Sequence, residues 1–197
     1  MNTEKFNRDF YMRDAVTVAR ELLGKTLVHC SHDGTTKGRI VECEAYMGSS
    51  DPASHSHDNL QTSRTEVMYG DGGYVYTYIV YGIHVCMNVV ANVENVPEAV
   101  LIRALEPLEG IELMKKRRGK ERISDLCSGP GKLCSAMGID MKNYGTDLCD
   151  NEIFVEHDEK FDHPVDIVSA KRIGVDSSKD LGNYRFYMEG NRFVSKI

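Results

Sequence analysis

The chain has 197 residues, enough for one domain with a substantial buried core. Its 41% hydrophobic and 27% charged residues are ordinary for a globular protein, no apolar run approaches a membrane span, and the opening MNTEKFNRDF lacks a signal-peptide core. The chain therefore reads as intracellular and uncleaved; its net charge of −6 argues mildly against a nucleic-acid partner, although phosphate binding needs only a local basic patch.

Residues 14–23 put Ala15, Val18, Ala19 and Leu22 on one helical face, with Asp14 as N-cap and Gly24 as the stop. Thr26 to Cys30 reads as a short strand. From Gly38 to Met47 the side chains alternate, with Val41, Cys43, Ala45 and Met47 on one side and Ile40, Glu42, Glu44 and Tyr46 on the other. Two carboxylates beside a tyrosine are either solvated or line a cleft, and periodicity does not choose between these. Asp51 to Gly73 is polar and rich in His, Ser and Gly, the composition of an ordered loop. Tyr74 to Tyr81 has the β-branched and aromatic content of a strand. Gly82 breaks it, and Ile83 to Val90 returns as the second arm of a hairpin, although Tyr-Gly is a weaker turn signal than Asn-Gly. Ala99 to Leu105 is a further strand, followed by a helix from about Leu108 to Arg118. Ser128-Gly-Pro-Gly opens another helix, with Pro130 in its first turn and Gly138 at its end. Strands recur at Ile153 to Glu156 and Tyr184 to Met188. With no repeat, linker or break in composition, the pattern is α+β, one domain over residues 1–197.

Several chemistries find little support in these residues. The six cysteines, at 30, 43, 86, 127, 134 and 149, form no CxxC pair and read as buried reduced thiols. His55 and His57 belong to no HExxH helix, so no metal is expected, and no GxSxG elbow is present. Gly70-Asp-Gly-Gly73 precedes a strand rather than a helix, the wrong setting for a phosphate cradle. Lys115, Lys116, Arg117, Arg118, Lys120 and Arg122 form a basic run that reads first as a solvated helix end and second as a phosphate-binding patch. Tyr74, Tyr76 and Tyr78 share a strand face, as core or sheet-surface residues do. Tyr81 falls on the other face at the turn, where an exposed ring suits insertion between stacked bases.

Taken together, these segments resemble the alkyladenine (3-methyladenine) DNA glycosylase family. The resemblance begins with Gly38-Arg-Ile-Val-Glu-Cys-Glu44-Ala-Tyr46-Met-Gly48, Asp51 and His55. It continues through Gln61-Thr-Ser-Arg64, Met68-Tyr-Gly70, Tyr76-Thr-Tyr78-Ile-Val-Tyr81-Gly82, Cys86-Met-Asn88 and Leu101-Ile-Arg103-Ala-Leu-Glu-Pro-Leu-Glu-Gly110. It ends with Leu126-Cys-Ser-Gly-Pro-Gly-Lys132-Leu-Cys134 and Arg185-Phe-Tyr187, so ordered motifs cover most of the chain. Departures are few: Ser63 stands where proline is frequent, Tyr69 replaces phenylalanine, and Glu94 to Pro97 lengthens one connection. Glu66 falls where some members carry a basic residue, which puts one backbone contact in doubt.

The resemblance implies a curved, mainly antiparallel sheet or open barrel with helices at its edges and a protruding hairpin that enters DNA. Its partner would be double-stranded DNA containing damaged purines, met by a monomer, with no membrane, cofactor or metal. Tyr81 would fill the gap left by a flipped nucleotide. Tyr46 and His55 would sandwich the purine, Tyr78 would close the slot, and Asn88 would sit at the minor-groove edge. Glu44 would be the general base that activates water, with Arg103 holding it ionised; Glu42 is the rival carboxylate. Arg64 and Lys132 would touch the DNA backbone. A cationic alkylated base leaves without protonation, whereas hypoxanthine needs more help. Two rivals stand beside this reading: a module that captures damaged DNA without cutting it, and a metal hydrolase built on the histidine loop.

Overall fold

Short runs of apolar and β-branched residues pair into one open antiparallel sheet. The computed structural model describes residues 3–158 and 165–196. Among these the strands are β1 (Thr3–Lys5), β2 (Thr26–Ser31), β3 (Gly34–Tyr46), β4 (Val75–Val80), β5 (His84–Ala91), β6 (Glu98–Glu109), β7 (Ile153–Asp158), β8 (Ile167–Ala170) and β9 (Arg185–Met188). The helices are α1 (Arg8–Tyr11), α2 (Ala15–Leu22), α3 (Ile111–Arg118) and α4 (Pro130–Met137); α2 and α4 pack against the central strands rather than at the edges expected of them. The sheet order is β1-β7-β2-β3-β6-β5-β4, with β9 pairing β3 and β8 pairing β9. This is the α+β architecture expected, with a sheet that does not close.

The long strand β3 organises the molecule. Along one side it pairs with β6 over most of its length. Along the other, residues 34–39 pair with β2 and residues 42–44 with β9. The exchange occurs where the β3–β6 register shifts, between Ile40 and Glu42 and again between Glu42 and Cys43. A bulge bends a strand and increases its twist. Helix α2 packs across β3 and β6, and its expected N-cap is present, with the Asp14 carboxylate accepting from the Thr17 amide at 2.9 Å. The same four residues expected on its inner face, Ala15, Val18, Ala19 and Leu22, are fully buried. Each large apolar side chain so buried contributes about 1.5–3 kcal/mol relative to exposure.

Periodicity left the polar side of β3 open, and it is not solvated: Ile40 through Ala45 are all fully buried, Glu42 and Glu44 included, because the sheet is covered on both faces there. Two expectations need correction. The helix expected from Leu108 begins later, since Leu108 and Glu109 still belong to β6. Gly110 makes the break at φ +74°, where a β-carbon would lie 2.4 Å from the Thr35 carbonyl oxygen. The cysteines are all reduced, but Cys30 is exposed and Cys149 half-buried, so only four are buried thiols.

The β4–β5 hairpin stands out from the sheet. Tyr81 and Gly82 both take positive φ, +53° and +73°, the hand that matches the twist of a hairpin. The Ile83 amide closes the turn on the Val80 carbonyl at 3.3 Å. Tyr81 is 89% exposed and Ile83 76%, so an apolar tip is presented to solvent. Among the described residues no helix is long and apolar enough to cross a membrane.

Candidate active site

A cleft of about 380 Å³ opens where β3, the His55 loop, the hairpin and residues Ile173 to Val175 meet. Tyr46, His55, Tyr78, Tyr81, Asn88 and Arg103, named from sequence on five separate segments, all line it. Its size is at the small end of cavities that take small organic ligands.

Glu44 lies behind this lining, fully buried on β3. Burying a carboxylate is costly unless its oxygens are paired, and here they are. The Tyr46 hydroxyl donates to Oε2 at 2.9 Å, Arg103 Nη1 lies 3.2 Å from the same oxygen, and the Ile173 amide donates to Oε1 at 2.7 Å. Arg103 also donates through Nε to Glu42 Oε1 at 3.1 Å, so one guanidinium spans both carboxylates. Arg103 draws the Glu44 pKa down, but burial outweighs it and leaves the carboxyl above its ordinary value of 4.5. The expectation that Arg103 holds Glu44 ionised is therefore only half of the balance.

Glu42 has different company. Its Oε1 accepts from Arg103 and from Arg185 Nη1, the latter at 3.1 Å, and its Oε2 accepts the Ser195 amide at 2.7 Å. None of these three except Arg103 lines the cleft. Glu42 ties β3 to β9 and to the end of the chain, while Glu44 is bonded to Tyr46, Arg103 and Ile173 of the cleft wall. Geometry thus separates two carboxylates that periodicity left equivalent.

The aromatic walls are held by one another. His55 meets Tyr78 edge to face with centroids 4.6 Å apart, and its Nδ1 lies 2.8 Å from the Tyr76 hydroxyl. Burial, helped by the charge of Arg64, lowers the His55 pKa to about 4, so the ring is neutral at neutral pH. Arg64 is exposed at the mouth, with Nη2 3.0 Å from His55 Nε2 and its guanidinium 5.1 Å from the Tyr78 ring centre. Asn88 is buried, its amide donating to the Tyr76 carbonyl at 3.1 Å, which fixes its orientation at the cleft.

Lys132 is not in this cleft. It sits near the start of α4 and lines a neighbouring groove with Tyr81, Ile83, His84 and Arg118. The basic run expected as a solvated helix end is partly that and partly internal bracing. Arg117 pairs with Asp33 and donates to the Ala136 carbonyl, Arg118 donates to the Leu126 carbonyl, and Arg122 pairs with Asp125. Lys116 and Lys120 are exposed. Among the described residues no group of three or more His, Cys, Asp or Glu side chains could hold a metal ion.

One part of the site carried no sequence signal. The strap from Lys171 to Val175 closes a side of the cleft, and its Arg172 has a fully buried side chain. Arg172 pairs with Asp51 through both Nη atoms and with Asp180 through Nε at 3.0 Å. Its Nη1 also donates to the Ala45 carbonyl at 3.2 Å, and its guanidinium lies over the Tyr46 ring, 4.7 Å from the centre.

Known proteins resemble the chain along nearly its whole length. Residues 9–192 match the family described as Methylpurine-DNA glycosylase (MPG). A protein of Clostridium acetobutylicum is 46% identical over 203 residues, covering 98% of both chains. One of Desulfitobacterium hafniense is 46% identical over 202 residues, again covering 98% of each. One of Methanoculleus marisnigri is 48% identical over 189 residues, covering 95% of this chain and 96% of its own. All three bear the name "Putative 3-methyladenine DNA glycosylase". The chain belongs to the methylpurine-DNA glycosylase family.

Proposed function

We propose that the chain, as one domain over residues 1–197 and as an intracellular monomer, hydrolyses the N-glycosidic bond of alkylated purines in double-stranded DNA. Its substrates are of the 3-methyladenine and 7-methylguanine type, with neutral hypoxanthine a further candidate whose departure needs more help. The observation that carries this reading is the buried Glu44 carboxylate, bonded to three residues that line an aromatic cleft beside an exposed apolar hairpin tip.

Chemistry on a duplex base requires taking the nucleotide out of the stack. Tyr81 enters the gap, and the purine lies between Tyr46 and His55 with Tyr78 closing the slot. The positive charge of an alkylated purine is attracted to electron-rich rings. A neutral His55 suits that role, since a protonated one would repel the cation. Asn88 crowds the exocyclic amino group that guanine carries on its minor-groove edge, which turns away undamaged guanine, while in 7-methylguanine the cationic charge weakens the glycosidic bond enough to offset that crowding. Water attacks the anomeric carbon and gives a proton to ionised Glu44, while the glycosidic electron pair leaves with the base and cancels its charge. Arg103 orients Glu44 and, with it, the water. No cofactor or metal enters these steps, and no amine nucleophile is needed.

The test is a duplex with a single 3-methyladenine. Free base should be released in the presence of chelator, leaving an abasic site whose strand stays intact until treated with alkali. Strand cleavage without alkali, a borohydride-trapped adduct, or activity lost to chelator and restored by zinc would contradict the mechanism. Tight binding without base release would favour the capture module.

Arg64 lies beside Tyr78 and Ile79 of β4, Lys132 lies in the groove with Tyr81 and His84, and both are assigned to the DNA backbone. Binding should weaken with salt despite the acidic net charge, because each neutralised phosphate releases counterions. Lys132→Ala is expected to weaken binding and lower the salt slope by about one. Lys116→Ala, in the basic run, should change neither; equal effects would mean that the footprint extends over α3.

A further inference from the structure

Resting on that reading of the cleft, we propose that Arg172 is a positioning residue. It sets the Tyr46 ring from behind and anchors the strap whose next amide holds Glu44, so one side chain aligns the base platform with the carboxylate. Three observations converge on it. The guanidinium lies over the Tyr46 ring on one side, which leaves the ring's other face for the cleft that Tyr46 lines. The same group ties the strap to the rest of the site, through Asp51 at the start of the His55 loop and the Ala45 carbonyl on β3. The residue that follows, Ile173, places its amide 2.7 Å from Glu44 Oε1.

A planar fork is what this arrangement needs. A guanidinium meets a carboxylate through two parallel bonds and still offers a flat face to a ring, whereas an ammonium is a point charge that can do only part of this. Asp180, from the loop before β9, completes the pairing through Nε. Its backbone carbonyl also accepts from Lys171. A fully buried arginine between two carboxylates is a poor choice for stability alone, since matched apolar residues often do as well. Its contact with Tyr46 and its place beside the Ile173 amide account for its presence.

The inference has a signature that a merely structural role lacks. The groups facing Glu44 are Arg103 from β6, Tyr46 and Glu42 from β3, Tyr78 and Cys86 from the hairpin, and the Ile173 amide from the strap. Of these, Arg103, the Ile173 amide and the Tyr46 hydroxyl favour the ionised carboxylate, and Arg172 secures the last two. With Glu44 still buried behind the cleft lining, loosening the strap therefore shifts the pH at which it ionises upward, as well as displacing the platform.

Single-turnover excision of one 3-methyladenine from duplex would be measured against pH, with thermal unfolding alongside, for wild type and Arg172→Lys. A triple variant, Arg172→Met with Asp51→Asn and Asp180→Asn, leaves no unpaired buried charge should the lysine variant fold poorly. Both are expected to lose about tenfold or more in rate at neutral pH and to move the acid limb to higher pH, beyond any loss of folded protein. A rate that falls only in proportion to the folded fraction, with the acid limb unmoved, would overturn the inference and leave Arg172 a structural residue. Absence of excision by the wild type would instead overturn the glycosylase reading itself.

Discussion

Glu44→Gln is expected to lower single-turnover excision by at least ~10²-fold, the low end for general-base catalysis, while lesion-duplex affinity stays within a few-fold of wild type. Glutamine has almost the same shape but accepts no proton at neutral pH. Its amide oxygen can take the place of Oε2 and still accept from Tyr46 and Arg103. Its amino group then faces the Ile173 amide, donor against donor, so the strap loosens slightly without emptying the cleft. Glu42→Gln is the contrasting variant. It weakens a buried cluster holding Arg103, Arg185 and the Ser195 amide, so its expected cost is thermal stability. Its folded molecules should excise the lesion at close to the wild-type rate. The reverse pattern, with Glu42→Gln inactive and Glu44→Gln active, would assign the base to the wrong carboxylate.

Tyr81→Ala should reduce excision from duplex on the order of 10²-fold, equivalent to a few kcal/mol lost from the flipped state, and leave single-stranded substrate within a few-fold of wild type. Tyr81 is the most exposed large hydrophobic side chain among the described residues, at the apex of a turn that holds it away from the core. Removing it costs the fold little. A ring in that position contributes only when there is a stacked duplex to enter. Ile83 beside it is too small to replace the ring, though it adds to the apolar tip. Equal losses on both substrates would place the role of Tyr81 in the cleft rather than in the duplex.

Much of the site was legible because its parts are local. The hairpin could be read from a β-rich run broken by Gly82, and the helix at Pro130 from its opening Gly-Pro-Gly. Periodicity could not choose between Glu42 and Glu44, since both sit on one strand two residues apart, and only the family resemblance favoured Glu44; their physical difference lies in Arg185, Ser195 and Ile173, which are more than 120 residues away in sequence. Arg172 was invisible for the same reason. Lys-Arg-Ile-Gly-Val reads as polar loop, and only the fold brings Asp51 and Tyr46 to it. The late start of α3 was missed because Leu108-Glu109 fits a strand end and a helix start equally well, and a backbone approach to Thr35 decides it. β1 and β8, with three and four residues, are too short to show a period.

The most direct test of Glu44 as the base is the pH dependence of single-turnover excision by the wild type, set beside that of Glu44→Gln. Because the base must be ionised, the rate falls as pH drops through the Glu44 pKa, which burial holds above the ordinary 4.5. His55, at about 4, ionises below that limb and does not obscure it. The expected result is an acid limb above pH 4.5 in the wild type that is missing from Glu44→Gln, whose residual activity falls only near pH 4, where His55 takes a proton. A limb that persists unchanged in Glu44→Gln would contradict the assignment, because some other group would then be taking the proton from water.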